Sequence, residues 1–271
     1  MNPVPSTSGA GEHTVVITRV ADRQWHALED DRVVGEGEAW RRLDGRLFVS
    51  IDAWHGAAVD RLADAMLAHL PRPLHTMVDE TDTDLAAHWQ RAGFTTRRRE
   101  WMCLLPTDPA RTGLDPARTP PGVTVLAPGE AEPGPLRDLD RAIRDEVQAT
   151  LGWHEMPAEV LPRPDGDAPV DTSALVDPAK YAVAAVGGTY VGLVRIAPVP
   201  RQPRIGLVAV RAGHRRKGVA RALLAHVLGT LHGAGVPTAT AELSENNQAA
   251  AALLDGIGTE RLSCNLELVL D

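Results

Sequence analysis

The sequence predicts an α/β chain made of two versions of one unit, and three observations carry that reading. Ala27-Leu28-Glu29-Asp30-Asp31-Arg32-Val33-Val34-Gly35 lines up without gaps on Ala184-Ala185-Val186-Gly187-Gly188-Thr189-Tyr190-Val191-Gly192. Both read as strand, tight turn, strand. The order strand, strand, strand, helix, strand, helix then occurs twice, and between Pro106 and Pro135 the composition shifts to crowded Pro, Gly, Asp and Thr. A repeat this long is no solenoid period and means duplicated domains, which suits a chain of 271 residues. The expected division is a flexible tail over 1–11, a first domain over 12–106, a linker over 107–121 and a second domain over 122–271.

The elements follow in order. In the first half Arg46-Leu47-Phe48-Val49-Ser50-Ile51 is an apolar strand, and Val59, Leu62, Met66 and Leu70 mark the buried stripe of a helix. A strand follows over about 74–78, then a short Ala-rich helix ending near Ala92-Gly93-Phe94, with glycine suited to the helix C-terminus. In the second half Val123 to Leu126 is apolar, and the segment from Leu136 to Val147 reads as a helical insert with no counterpart in the first half. Arg204-Ile205-Gly206-Leu207-Val208-Ala209-Val210 is the matching apolar strand. Val219, Leu223, Val227 and Leu231 recur every four residues along the helix after it, with Leu224 and Leu228 widening the stripe. The last strand and helix run from Thr238 to Leu243 and up to Ile257-Gly258-Thr259.

Composition narrows the function classes. With 44% hydrophobic and 24% charged residues the chain buries a sizeable core, and its net charge of −8, shared evenly between the halves, disfavours nucleic-acid or anionic-membrane binding. The longest apolar stretch, Ala182 to Val194, is broken by Gly187, Gly188 and Gly192 and is too short to span a bilayer. Cys103 and Cys264 have no CxxC spacing and the first residues show no secretory pattern, so a cytoplasmic protein is expected.

The sharpest local feature is Arg215-Arg216-Lys217-Gly218-Val219-Ala220, with Arg211, His214 and Arg221 beside it, set between an apolar strand and a long helix. A glycine there lets the backbone approach a ligand, the first helical N–H groups lack intrahelical acceptors, and the helix dipole favours an anion. A solvated basic loop is the bland alternative. The run is neither GxxxxGK[ST] nor GxGxxG.

Arg215, Gly218 and Ala220 meet the Arg/Gln-x-x-Gly-x-Gly/Ala signature of the GNAT acyl-CoA-dependent N-acyltransferases, and the segment from Gly122 to Asp271 resembles that family. The first half resembles the same fold more weakly. The resemblance implies two GNAT-like domains, each a mixed, mostly antiparallel twisted sheet flanked by helices and splayed between its fourth and fifth strands. It implies that acetyl-CoA lies in the splay, its pantetheine along Val208, Ala209 and Val210 and its pyrophosphate on the loop amides of Arg216, Lys217, Gly218, Val219, Ala220 and Arg221. Arg215 and Asn247, which opens the helix after the fifth strand, complete the expected cofactor set. An amine would enter from the other side and attack directly, with no metal and no covalent intermediate.

An ammonium cannot attack until a base or a water chain removes its proton. The fourth strand has Arg204 where many family members have a glutamate, while Glu242, five residues before Asn247, matches the fifth-strand glutamate of other members. Glu242 is the candidate base; a strand-surface carboxylate paired with an arginine is the alternative. The tyrosine that many members use to protonate the thiolate is replaced by Leu254, with Ser244 or Tyr190 as substitute donors.

The matching first-half loop, Ala53-Trp54-His55-Gly56-Ala57-Ala58, is shorter and lacks the arginines, Asp52 adds the wrong sign for a phosphate, and Met77 stands at the position of Glu242. A degenerate domain that scaffolds is expected. Trp153, His154 and Glu155 in the insert are the candidate acceptor residues, with Asp145 and Glu146 nearby, since carboxylates beside an aromatic suit a cationic amine; for Asp145 and Glu146 an ordinary amphipathic helix with its charges in water is the alternative. His226 and His232 do not share a helix face and His154-Glu155 lacks the HExxH frame, so no metal is expected. Cys264 reads as a small buried residue and Arg97-Arg98-Arg99 as a solvated strand end. The expected function is acyl transfer, from acetyl-CoA, to the primary amine of a small molecule. Protein or peptide N-acetylation, or acyl-CoA sensing without catalysis, are the alternatives.

Overall fold

The computed structural model describes residues 14–42, 45–150, 152, 156, 176–197 and 202–271. The tail expected over 1–11 lies outside the described residues. The first half runs β1 (Val16–Ala21), β2 (Gln24–Glu29), β3 (Arg32–Arg41), β4 (Leu47–Ala53), α1 (Gly56–His69), β5 (Leu74–Asp79), α2 (Thr83–Arg91) and β6 (Thr95–Pro106). After the short α3 (Pro109–Thr112) the second half repeats it: β7 (Val123–Leu126), α4 (Pro133–Gln148), β8 (Tyr181–Val186), β9 (Thr189–Ala197), β10 (Arg204–Val210), α5 (Val219–Gly233), β11 (Thr238–Ser244), α6 (Gln248–Asp255) and β12 (Glu260–Leu270).

The matching hairpins have a common physical basis. Asp30 and Asp31 between β2 and β3, and Gly187 and Gly188 between β8 and β9, all take positive φ, as a two-residue turn matched to strand twist requires. Each half is mostly antiparallel, and the one parallel contact in each is cut short. β10 pairs with β11 only at Arg204↔Thr240 and Ile205↔Ala241, and β4 with β5 only at Leu47↔Leu74 and Phe48↔His75. Beyond those pairs the strands part, so each half is splayed between its fourth and fifth strands.

The halves are joined more closely than two beads on a string. The strands form one twelve-stranded sheet in the order β1-β2-β3-β4-β5-β12-β6-β11-β10-β9-β8-β7. β6 pairs with β11 from Pro106↔Thr238 to Glu100↔Ser244, β12 pairs with β5 from Leu270↔Leu74 to Asn265↔Asp79, and β6 and β12 pair with each other. Each half therefore lends its last strand to the other. The cores follow the exchange: Leu266, Leu268 and Leu270 of β12 pack with Leu62 and Met66 of α1, while Cys103 and Leu105 of β6 pack with Leu223 and Leu224 of α5. The segment 107–121 is also packed, with Leu114 in the second core.

Alternation along the strands leaves a second face to the sheet. In the second half α4 covers it, with Leu136, Leu139 and Ile143 against Tyr181, Val183, Leu193 and Leu207. In the first half Phe48 is buried there beneath the Arg42 guanidinium, stacked with Trp40 and His75.

Candidate active site

The splay between β10 and β11 leads to the loop singled out by sequence. A register shift between Ile205 and Leu207 marks a bulge, and from Leu207 to Val210 the β10 backbone is paired with β9 alone. One edge of Val208, Ala209 and Val210 therefore faces the opening. The loop then turns through Arg216 at φ 61° and Gly218 at φ 83°. Gly218 is the N-cap of α5, and no side chain caps that helix, whereas His55, Asp82 and Asn247 cap α1, α2 and α6. Uncapped N–H groups at a helix start form an anion site. A Cβ at Gly218 would lie 3.1 Å from Pro120 Cγ and would force a left-handed backbone on a side-chain residue.

The basic side chains divide their roles. Arg215 turns back, donating from Nε to the Val210 carbonyl at 2.9 Å and from Nη2 to Glu146 at 2.9 Å. Arg211 Nε and the Ala212 amide reach the same carboxylate at 2.7 and 2.8 Å. Burial works against the charge of Glu146, but these partners outweigh it and hold its pKa below the ordinary value. Glu146, expected near the acceptor, is thus a clasp between α4 and the loop. Lys217 Nζ donates to the Gly213 carbonyl and Arg221 Nη1 to that of Gly256, while the Asn247 side-chain oxygen accepts from the Ala250 amide.

Glu242 sits on β11 with Oε1 2.7 Å from Arg204 Nη1, a half-buried ion pair. Glu100 of β6, diagonal to it across the ladder, places a second carboxyl beside it. Leu254 is buried among core residues and has no proton to give. The Tyr190 hydroxyl accepts the Glu132 amide at 3.0 Å, so it caps α4, and Ser244 is buried on β11. Trp153, His154 and Glu155 lie outside the described residues.

Residues 148–258 match the family model described as Acetyltransferase (GNAT) family. The match lies within the second half, which is similar to that family in motif and fold. A GCN5-related N-acetyltransferase from Sphaerobacter thermophilus has a similar structure, with TM-score 0.65 and 17% identity over 93% of this chain and 82% of that one. A tandem GNAT protein from the clavulanic acid biosynthesis pathway reaches 0.59 at 16% identity, covering 91% and 82%, and a GCN5-related N-acetyltransferase from Kribbella flavida 0.54 at 17%, covering 95% and 89%. At such identities the likeness establishes the fold. No curated protein sequence matches the chain.

Beside the loop that opens α5, the first-half loop is closed. Trp54 is 80% exposed, the His55 ring accepts the Ala58 amide at 3.3 Å, and a Cβ at Gly56 would meet His88 Nε2 at 2.8 Å. His88 is held there by Asp60. Met77 of β5 stands opposite Glu267 of β12, as Glu242 stands opposite Met102 of β6.

That Glu267 was not singled out by sequence, and it is the centre of the largest charge cluster. Fully buried, it meets Arg46 Nη1 at 2.7 Å, Arg97 Nη1 at 2.6 Å, Arg98 Nε at 2.8 Å and His75 Nδ1 at 3.2 Å. Burial would raise its pKa; the adjoining His75 ring and the guanidiniums of Arg98, Arg46 and Arg97 hold it well below the carboxylate range instead. The expectation that Arg97-Arg98-Arg99 solvate a strand end is corrected here. Arg97 is the extra residue of a bulge against β12, which lets it and Arg98 both reach Glu267, and Arg98 is only 3% exposed. Arg99 alone points outward, to Glu80 at 2.6 Å. The only hint in the sequence was a charge run inside a strand.

Cys264 is buried, and burial with Glu80 beside it pushes its thiol up to about 11, so it is no nucleophile at neutral pH. Among the described residues no three His, Cys, Asp or Glu side chains gather as a metal site, and no helix is long and apolar enough to cross a membrane.

Proposed function

We propose that the protein is an N-acetyltransferase that transfers an acetyl group from acetyl-CoA directly to the primary amine of a small molecule. The observation that carries this reading is the uncapped start of α5 at the mouth of the β10–β11 splay. Its N–H groups, with Arg216, Lys217 and Arg221 close by, suit a pyrophosphate, and the one-sided backbone of Val208, Ala209 and Val210 suits an extended amide-bearing arm. When bound, acyl-CoA supplies a thioester carbonyl open to attack by an amine. Glu242, held in place by its ion pair with Arg204, then takes the proton of the incoming ammonium. The clasp of Glu146 on Arg211 and Arg215 fixes the loop against α4, so that its amides are oriented before the ligand arrives.

In this reading the first half binds no acyl-CoA, the acidic chain works in the cytoplasm without nucleic acid or membrane, and the acceptor lies towards Trp153, His154 and Glu155. A second reading, a sensor that binds acyl-CoA without turnover, is favoured by Leu254 in place of a proton donor. Incubation of the full chain with acetyl-CoA and a mixed library of amines, following free thiol and acceptor mass together, separates the two. Gain of one acetyl group by an amine is the expected result; acetyl-CoA bound and never consumed would favour the sensor.

A further inference from the structure

The strand exchange carries a carboxyl from the first half into the opening of the second. On β6, Glu100 lies two residues from Met102, the ladder partner of Glu242, so Glu100 and Glu242 are diagonal neighbours on one face. The two carboxyls act on each other electrostatically, and two such groups side by side on one face are eased by a proton between them. Each is gripped from its far side: Arg98 Nη2 lies 2.7 Å from Glu100 Oε2, and Arg204 Nη1 lies 2.7 Å from Glu242 Oε1. β12 places neutral Asn265 opposite Glu100, with Glu267 beyond it on the other side of Arg98; β11 places Ser244 opposite, and Arg42 acts from a greater distance.

We propose that Glu100 and Glu242 work as a two-carboxyl group that holds one proton, with Glu100 the positioning residue and Glu242 the group that faces the amine. The step balances simply. With both carboxyls ionised, an N–H bond of the acceptor ammonium breaks, an O–H bond forms on Glu242, and the proton is shared with Glu100. Two carboxyls that share one proton bind it more tightly than either would alone. In agreement, burial first, and then Glu242 and Glu267 against the pull of Arg98, raise Glu100 to about 7. The first half then contributes to the reaction through its exchanged strand although its own opening is closed.

This inference rests on Glu242 being the base, and the experiments keep the two apart. In full-length protein carrying 13C at the glutamate side-chain carboxyls, an NMR titration should show one glutamate changing near the raised value. Glu100→Gln should abolish that step and Glu242→Gln should move it to lower pH; a step unmoved in Glu242→Gln would overturn the pairing, and this readout needs no acceptor. With an amine identified by the library, Glu242→Gln should cost roughly 10²–10⁴ in turnover. Glu100→Gln should move the acid limb of kcat/KM towards about 4.3, the ordinary glutamate value, with Glu100→Asp restoring it. Lost turnover in Glu242→Gln together with an unshifted profile in Glu100→Gln would sink the pairing and leave the base standing. Full turnover in Glu242→Gln would remove both.

Discussion

The two halves have the same strands, the same hairpin turns and the same splay, and they differ in what meets the opening. In the second half the helix start has no side-chain cap and the fifth strand presents the Glu242 carboxyl, paired with Arg204. In the first half His55 caps the helix, His88 stands over Gly56, and four basic side chains converge on the fully buried Glu267. A splayed sheet necessarily exposes backbone and side-chain polar groups at its opening. The first half meets them with its own side chains, whereas the start of α5 has no side-chain partner. The contrast teaches that two copies of one fold can treat the same helix start in opposite ways.

The comparison is broken most severely at Glu267. Replacing it with alanine leaves Arg98, Arg46 and Arg97 facing one another without their shared counter-charge, and loss of one partner from a buried pair costs about 3–5 kcal/mol. β12 belongs to both halves, so both should melt together in a single, earlier transition. Trp25 and Trp89 report on the first half and Trp101 on the second, and fluorescence during denaturant unfolding would reveal separate steps if the halves are independent. The pH dependence has a definite sign. Because the folded pKa of Glu267 is depressed, its contribution is present above the unfolded value of about 4.3 and is lost as pH falls well below it, so wild type and Glu267→Ala should converge in strong acid.

How much of this was legible in the sequence depended on whether the signal was local. The hairpins announced themselves through Asp30-Asp31 and Gly187-Gly188, and α1 and α5 through their apolar periods. Motif spacing placed Gly218 at the start of a helix and Glu242 on a strand beside the opening. The exchange of β6 and β12 left no trace, because either strand presents an acceptable apolar face to either core and the choice of partner is made in three dimensions. Glu100, Arg98 and Glu267 were missed for the same reason, since a charged run reads as surface unless the opposing strand is known. Glu146 read as an acceptor carboxylate because nothing local revealed Arg211 and Arg215 across the α4–loop contact.

The next effect falls on binding. Gly218→Asp puts a Cβ and a negative charge at a position with φ 83°, against Pro120 and beside the uncapped amides. Acetyl-CoA affinity by calorimetry should fall by at least about 100-fold, roughly 2.7 kcal/mol. His88→Ala in the first half clears the space over Gly56 and should leave the stoichiometry at one. A second molecule bound by His88→Ala would mean that steric closure, and not the missing loop, silences the first half.

The smallest effect sharpens the contrast at the helix starts. His55→Ala removes the acceptor for the Ala58 amide and should cost about 0.5–1 kcal/mol, a shift of a few degrees in Tm. It also leaves the start of α1 uncapped, as that of α5 is in the wild type. If an open helix start were sufficient, this variant would gain affinity for a pyrophosphate-bearing ligand, and adenosine diphosphate is a suitable probe by calorimetry. No second site is expected, because the α1 loop has neither the left-handed glycine that turns amides inward nor a basic side chain, and Asp52 stands on the strand before it. Helix geometry supplies the donors for a phosphate, but the turn and the charge that precede the helix decide whether one is held.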